Sequence, residues 1–185
     1  MRPGGSPAEA ALRSFFASLA LAEALDELTG VGSALALKWP NDLLLDGGKV
    51  SGILLESVGQ GGTLGHLIVG IGVNLIAAPD PTLVEPGAVR PVSVLEATGL
   101  RITPEALLGA LAPAFARLEA RYAAEGFAPI RAAWLARAAR IGTRITARTG
   151  STTREGIFET IDEDGALVLR TNDGPITLPA ADIFF

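Results

Sequence analysis

The chain has 185 residues, 49% of them hydrophobic, with a formal net charge of −5, no cysteine and one histidine, His66. That is enough apolar material to bury the core of a moderate domain with a small companion, and it excludes a disordered tail. Without cysteine there are no disulfides, thiolate nucleophiles or cysteine-held metals, and one histidine leaves little for a zinc site or a serine–histidine pair; a reducing, cytoplasmic setting is expected. The negative balance offers no basic footprint for nucleic acid. No apolar run reaches the ~20 residues that span a bilayer, and the first ten residues lack the charged-then-apolar order of a secretory leader. Neither nucleic acid nor a membrane is expected as a partner.

Ser6-Pro7-Ala8-Glu9 is a helix start, with serine as N-cap, proline in the first turn and glutamate completing a capping box. Leu12, Phe15, Phe16, Leu19, Ala22 and Leu25 then recur at three and four, which predicts one buried stripe ending at Thr29-Gly30. Residues 34–37 read as a strand broken by Pro40-Asn41-Asp42. The strand resumes over 43–45, turns at Asp46-Gly47-Gly48 and returns antiparallel over 50–58. Gly59 to Gly62 is a flexible connection, and 64–73 is a third strand, so the middle of the chain is a meander.

Four prolines and no periodicity mark 76–91 as a surface loop. Ser93-Val94-Leu95-Glu96 caps a short helix. Thr103-Pro104-Glu105 starts another that should run to about residue 124, stop at Gly126 and kink at Pro113. A last helix is predicted over 127–138, burying Ile130, Trp134 and Leu135. After Arg140 the texture changes: 143–148, 155–161, 166–170 and 175–178 are short strands separated by strong turn signals, the pattern of a small antiparallel barrel. The domain boundary is placed at 140–142, giving units of 1–140 and 141–185.

Three polar clusters sit at the ends of apolar runs: Lys38-Trp39-Pro40-Asn41-Asp42, then Gly47-Gly48-Lys49 leading into Ser51-Gly52-Ile53-Leu54, then Gly70-Ile71-Gly72-Val73-Asn74. Side by side they would form a rim of lysine, carboxylate, amide and bare backbone over an apolar sheet, as a site for a small charged ligand needs. Lys49 begins an apolar strand, an expensive place for a cation unless something anionic lies beside it, although a lysine after Gly-Gly is more often a solvated hairpin residue. Gly70 and Gly72 fall on one strand face, where bare backbone can lie against a flat ligand, although strand glycines also mark bends and bulges. Asn74 follows on the same face. Asn41 and Asp42 are also ordinary turn residues, and Lys38 suits a phosphate contact or a strand end equally. His66 lies outside these clusters and reads as structural or solvent-facing.

In these residues the sequence resembles the biotin protein ligases, whose central segment carries Lys-Trp-Pro-Asn-Asp, a Lys-x-x-Gly-Ile-Leu strand and a Gly-x-Gly-x-Asn strand in this order. The resemblance implies an α/β (α+β) fold in which a partial mixed or antiparallel sheet packed by helices is followed by a small SH3-like β-barrel. It implies ATP-dependent activation of biotin to biotinyl-adenylate, then transfer to a lysine of a biotin carboxyl carrier protein, with Mg2+ accompanying ATP. Lys49 would touch the biotin carboxylate and the adenylate phosphate, and Asp42 would orient the acceptor lysine or a magnesium ion. Lys38, Trp39, Asn41, Gly52, Ile53, Gly70, Gly72 and Asn74 would bind substrate and adenylate.

In that family more catalytic chain precedes this point, including a strand and a Gly/Arg-rich loop that covers the adenylate, and Arg2 to Pro7 resembles the connection that follows it. The chain alone is then expected to be an incompetent ligase with an exposed sheet edge that favours a homodimer. A lipoate or octanoyl transferase shares the fold, and a non-catalytic remnant is the rival from another class; the intact pentapeptide and the barrel tail argue for biotin.

Overall fold

The structure, a computed structural model, describes residues 1, 6–60 and 63–185. Of the expected connection over Arg2 to Pro7, residues 2–5 lie outside the described residues, as does the second half of the glycine connection, Gly61 and Gly62; its first half, Gly59 and Gln60, is strand instead. Helix α1 (Pro7–Ala11) opens with the predicted capping box, Ser6 and Glu9 each accepting from the other's backbone N–H. The chain resumes after Leu12 as α2 (Arg13–Thr29) and stops at Gly30, which adopts φ 73°.

The single stripe predicted for this helix is corrected: every residue from 13 to 22 is buried. A helix is buried all round when neighbours wall every side, and α2 packs on the central sheet, on two later helices and, at Phe15, against Gly165 of the C-terminal sheet. Its polar side chains are satisfied. Arg13 bonds Glu119 at 3.0 Å and the Glu9 carbonyl at 2.7 Å, with the Phe16 and Tyr122 rings beside its guanidinium. Ser18 accepts the indole N–H of Trp134 at 3.2 Å.

The meander is observed as strands β1 (Leu35–Lys38), β2 (Asp42–Leu45), β3 (Gly48–Gln60) and β4 (Thr63–Val73), paired antiparallel in that order. Among the described residues parallel pairing occurs only as isolated bridges, Leu37 with Ala138 and Lys49 with Pro91. β4 is an outer strand of the sheet, and the Met1 amino group and carbonyl exchange bonds with the Leu67 carbonyl and N–H at 2.9 and 3.0 Å.

The loop over 76–91 contains one 3-10 turn, Pro81–Leu83, capped by Asp80. Then come α3 (Val94–Thr98), α4 (Pro104–Glu125) and α5 (Ala128–Leu135). α4 continues through Pro113, which lies on its exposed side. α5 ends earlier than predicted because β1 claims the following backbone: Leu37 donates to the Arg137 carbonyl at 2.8 Å and accepts from Ala139 at 2.7 Å. The tail forms β5 (Arg144–Thr149), β6 (Thr152–Ile161), β7 (Leu167–Thr171), β8 (Gly174–Leu178) and an unpredicted fifth strand, β9 (Asp182–Phe184). These make an antiparallel sheet in the order β8-β7-β6-β5-β9. One hydrophobic core runs through both sheets, from Leu37 and Val50 through Phe15 and Trp134 to Phe158 and Leu169. The two sheets are thereby held as neighbours along one cleft.

Candidate active site

A β-bulge builds the centre of the cleft. Pairing runs Asp42 with Gly52 and Leu43 with Ser51, then jumps to Leu44 with Lys49, so Val50 is an extra residue. An extra residue shifts the alternation of side chains by one. Val50 and Ser51 are both buried, and Lys49 is turned to the opposite face, beside Asp42. The Lys49 ammonium lies 2.6 Å from Asp42 Oδ1, and Lys38 approaches Oδ2 at 3.4 Å. Asp42 is 7% exposed, whereas the Lys49 side chain is 41% exposed. The carboxylate is therefore a nearly buried anchor that aims a solvent-facing cation into the cleft.

Gly52 and Gly72 are directly paired, as are Leu54 and Gly70, which lays bare backbone beside the lysine. A Cβ on Gly52 would sit 3.5 Å from Asp42 Oδ1 and from Lys49 Nζ. The cavity over this floor is about 1180 Å3, at or above the upper end of the usual range for small-ligand sites. Lys38, Asn41, Asp42, Lys49, Gly52, Ile53, Gly70, Gly72 and Asn74 all lie along it, so the three sequence clusters do converge.

Trp39, expected as a ligand contact, does not line this cavity. Its side chain is 2% exposed and donates its indole N–H to the Gly165 carbonyl at 2.9 Å, tying the pentapeptide to the C-terminal sheet. Two amides are also occupied. Asn41 Nδ2 donates to the Ile53 carbonyl at 2.7 Å, fixing the turn to β3. Asn74 Nδ2 is shared between the carbonyls of Lys49 and Val92 at 3.3 and 3.1 Å. Each holds the wall in shape: both N–H donors of the Asn74 amide are engaged, whereas Asn41 uses one of its two on Ile53. Asp42 likewise suits two lysines better than a magnesium ion, since both its oxygens already face ammonium groups. Among the described residues no group of three or more His, Cys, Asp and Glu is placed to hold a metal.

Two parts of the cleft escaped the sequence reading. Residues 79–91 supply a side wall through Glu85, Ala88 and Pro91, and 181–184 supply another. The first is stitched to the lysine: Lys49 donates to the Arg90 carbonyl at 2.8 Å, and Val92 donates to the Lys49 carbonyl at 3.0 Å. No periodicity or motif in 76–91 signals that pairing. The Arg148 guanidinium bonds Glu85 at 2.9 Å and Asp182 at 3.0 Å, and holds the Glu85 carboxyl below the usual carboxylate range.

The sequence model of the Biotin/lipoate A/B protein ligase family matches residues 3–74, and that of the Biotin protein ligase C terminal domain matches 141–185. The biotin--[acetyl-CoA-carboxylase] ligase of Paracoccus denitrificans is 56% identical over 185 residues, which is 100% of this chain and 77% of that ligase. The chain belongs to the biotin protein ligase family. The bifunctional ligase/repressor BirA of Bacillus subtilis is 31% identical over 92% of this chain, and the chain spans about half of its length, 51%. The fold is similar to that of the Aquifex aeolicus biotin protein ligase, with a TM-score of 0.80 at 22% identity over 94% of this chain and 74% of that one. The same ligase in complex with biotin and ATP matches at a TM-score of 0.75, 22% identity, 94% of this chain and 70% of that one. Family membership thus rests on motifs, family models and a close relative, and the structural likeness agrees in fold.

Proposed function

We propose that this chain forms the cleft of a biotin protein ligase that joins biotin to ATP and passes the biotinyl group to a lysine of a biotin carboxyl carrier protein. The observation that carries the proposal is the Lys49 ammonium, held at 2.6 Å by a nearly buried Asp42 above the paired glycines of β3 and β4. In the first step a biotin carboxylate oxygen attacks the α-phosphorus of ATP, and the bond to pyrophosphate breaks. Negative charge on the phosphoryl oxygens is stabilised by a cation fixed beforehand, and Lys49 is so fixed. In the second step the carrier lysine attacks the acyl carbon, AMP leaves with the electron pair, and the amine loses a proton. Asp42, the carboxylate that pairs with Lys49 on the cleft floor, would orient the amine. Magnesium would travel with the ATP phosphates; the fit at Asp42 is to lysine, and no step is assigned to the metal.

The biotin-specific C-terminal match and the Paracoccus relative favour biotin over a lipoate or octanoyl acceptor chemistry. A cytoplasmic setting fits the chemistry, and among the described residues no helix is long and apolar enough to cross a membrane. The test is incorporation of labelled biotin into a carrier domain by the ligase containing this segment, dependent on ATP. Equal labelling by the Lys49→Ala variant would remove the proposed centre.

A further inference from the structure

Residues 79–91 form a strap along the cleft with hardly any core of its own: most of the segment is exposed, Leu83 by 81%. Besides the Arg90–Glu96 ion pair at 2.6 Å, which ties its end to α3, it is attached in two places. At its end, 90–92 pair with both backbone groups of Lys49, and Asn74 braces the Lys49 and Val92 carbonyls together. In its middle, Glu85 is gripped by Arg148 of β5, whose guanidinium also bonds Asp182 of β9 and lies 4.8 Å from the centre of the Phe184 ring. Gly87, at φ 83°, passes close to the same ring; a Cβ there would lie 3.7 Å from it. A segment with few buried apolar contacts opens locally unless polar contacts hold it, so this grip decides whether the strap stays in place.

We propose that Arg148 is a positioning residue of the cleft: by locking the strap to the C-terminal sheet it keeps 90–92 paired to Lys49, and so keeps the ammonium aimed at the ligand. Arg148 itself touches neither Lys49 nor the glycine floor. Its influence passes through five residues of strap, and it gives the C-terminal sheet a mechanical hold on the phosphate-facing cation. The last link, from Lys49 to the nucleotide, rests on the ligase reading above; the hold on Lys49 does not.

The experiment compares amide hydrogen exchange in the unsubstituted chain, Arg148→Gln and Arg148→Lys, together with ATP half-saturation in the ligase containing this segment. The Lys49 and Val92 amides report directly, since they bond across to the Arg90 and Lys49 carbonyls. In Arg148→Gln they should exchange about fivefold faster, the factor expected for losing a well-placed exposed ion pair, while buried α2 amides stay protected. ATP half-saturation should rise by a similar factor with the maximal rate changed less, and Arg148→Lys, which keeps the charge without the planar fork, should recover part of both. Unchanged exchange at Lys49 with α2 intact would overturn the proposal. Faster exchange with unaltered ATP half-saturation would equally overturn it, because the strap would then not govern the lysine's work. If the unsubstituted ligase fails to activate biotin with ATP, the ligase reading falls, and the exchange comparison still decides whether Arg148 holds the strap.

Discussion

Gly52→Ala separates the needs of the fold from the needs of the ligand. Nothing in the folded chain requires glycine at this position. Its φ lies outside the left-handed region, and an added Cβ would make only ordinary contacts, 3.5 Å to Asp42 Oδ1 and to Lys49 Cε and Nζ. Gly72, its cross-strand partner, is freer still, with one atom, the Gly52 carbonyl oxygen, at 3.9 Å. Glycine inside a strand costs roughly 0.5–1 kcal/mol relative to alanine through chain entropy, so on packing alone both substitutions should leave stability unchanged or raise it by about that amount. A methyl group forced into a filled ligand gap costs about 1–3 kcal/mol, which is about 5- to 150-fold in affinity. Thermal unfolding of each variant, paired with titration of biotin or of a non-hydrolysable biotinyl-adenylate, reads the two quantities separately. The reasoning is refuted if Gly52→Ala binds ligand as tightly as the unsubstituted protein, or if it loses stability and affinity together.

Lys49→Ala should slow ATP-dependent adenylate formation by ~2.7–4 kcal/mol of barrier, the loss of one fixed donor, with Lys49→Arg restoring only part; pyrophosphate release measures it. Asp42→Asn leaves Lys38 and Lys49 without their shared carboxylate, and transfer from preformed adenylate to the carrier should fall at least as far as adenylate synthesis, which separate half-reaction assays resolve. Ser51 Oγ is buried without a hydrogen-bond partner, so Ser51→Ala should stabilise the chain by about 1 kcal/mol in denaturant titration. Met1–Phe185 by itself should turn over poorly, because Leu54 and Ile68 stand exposed beside an open cleft, 62% and 55%. The outer edge of β4 should favour self-association, which light scattering at rising concentration would show; fast turnover by a monomer counts against both expectations.

The sequence made the meander and the convergence of its three clusters legible, because each cluster closes an apolar run and antiparallel pairing brings such ends together. It also supported the capping box at Ser6 and the stop at Gly126, which are local chemistry. What stayed hidden was non-local. The burial of α2 on every side over 13–22 depends on how many neighbours surround it, and its 3.6-residue pattern is the same whether one side or every side is covered. Trp39 looked like a ligand contact because it sits inside a motif, yet a tryptophan in such a turn can point to either side. Here the acceptor that settles its direction, the Gly165 carbonyl, lies 126 residues away.

The bulge at Val50 shows most clearly where reading by alternation fails and why the failure bears on chemistry. Strict alternation from Ser51, which is buried against the core, would place Val50 on the cleft face and Lys49 in the core. A buried lysine there would be unpaired and costly, whereas a buried valine is favourable, so the core itself favours the extra residue. The side-chain reversal that suits the core also delivers the cation to Asp42. The bulge is kept in place by bonds from outside the hairpin: Asn74 donates its backbone N–H to the Val50 carbonyl at 2.9 Å, and 90–92 pair with Lys49 on the outer side. Aiming the lysine is thus a cooperative property of β2, β3, the end of β4 and the strap, which explains why a motif of adjacent residues can locate the site without describing how it is held.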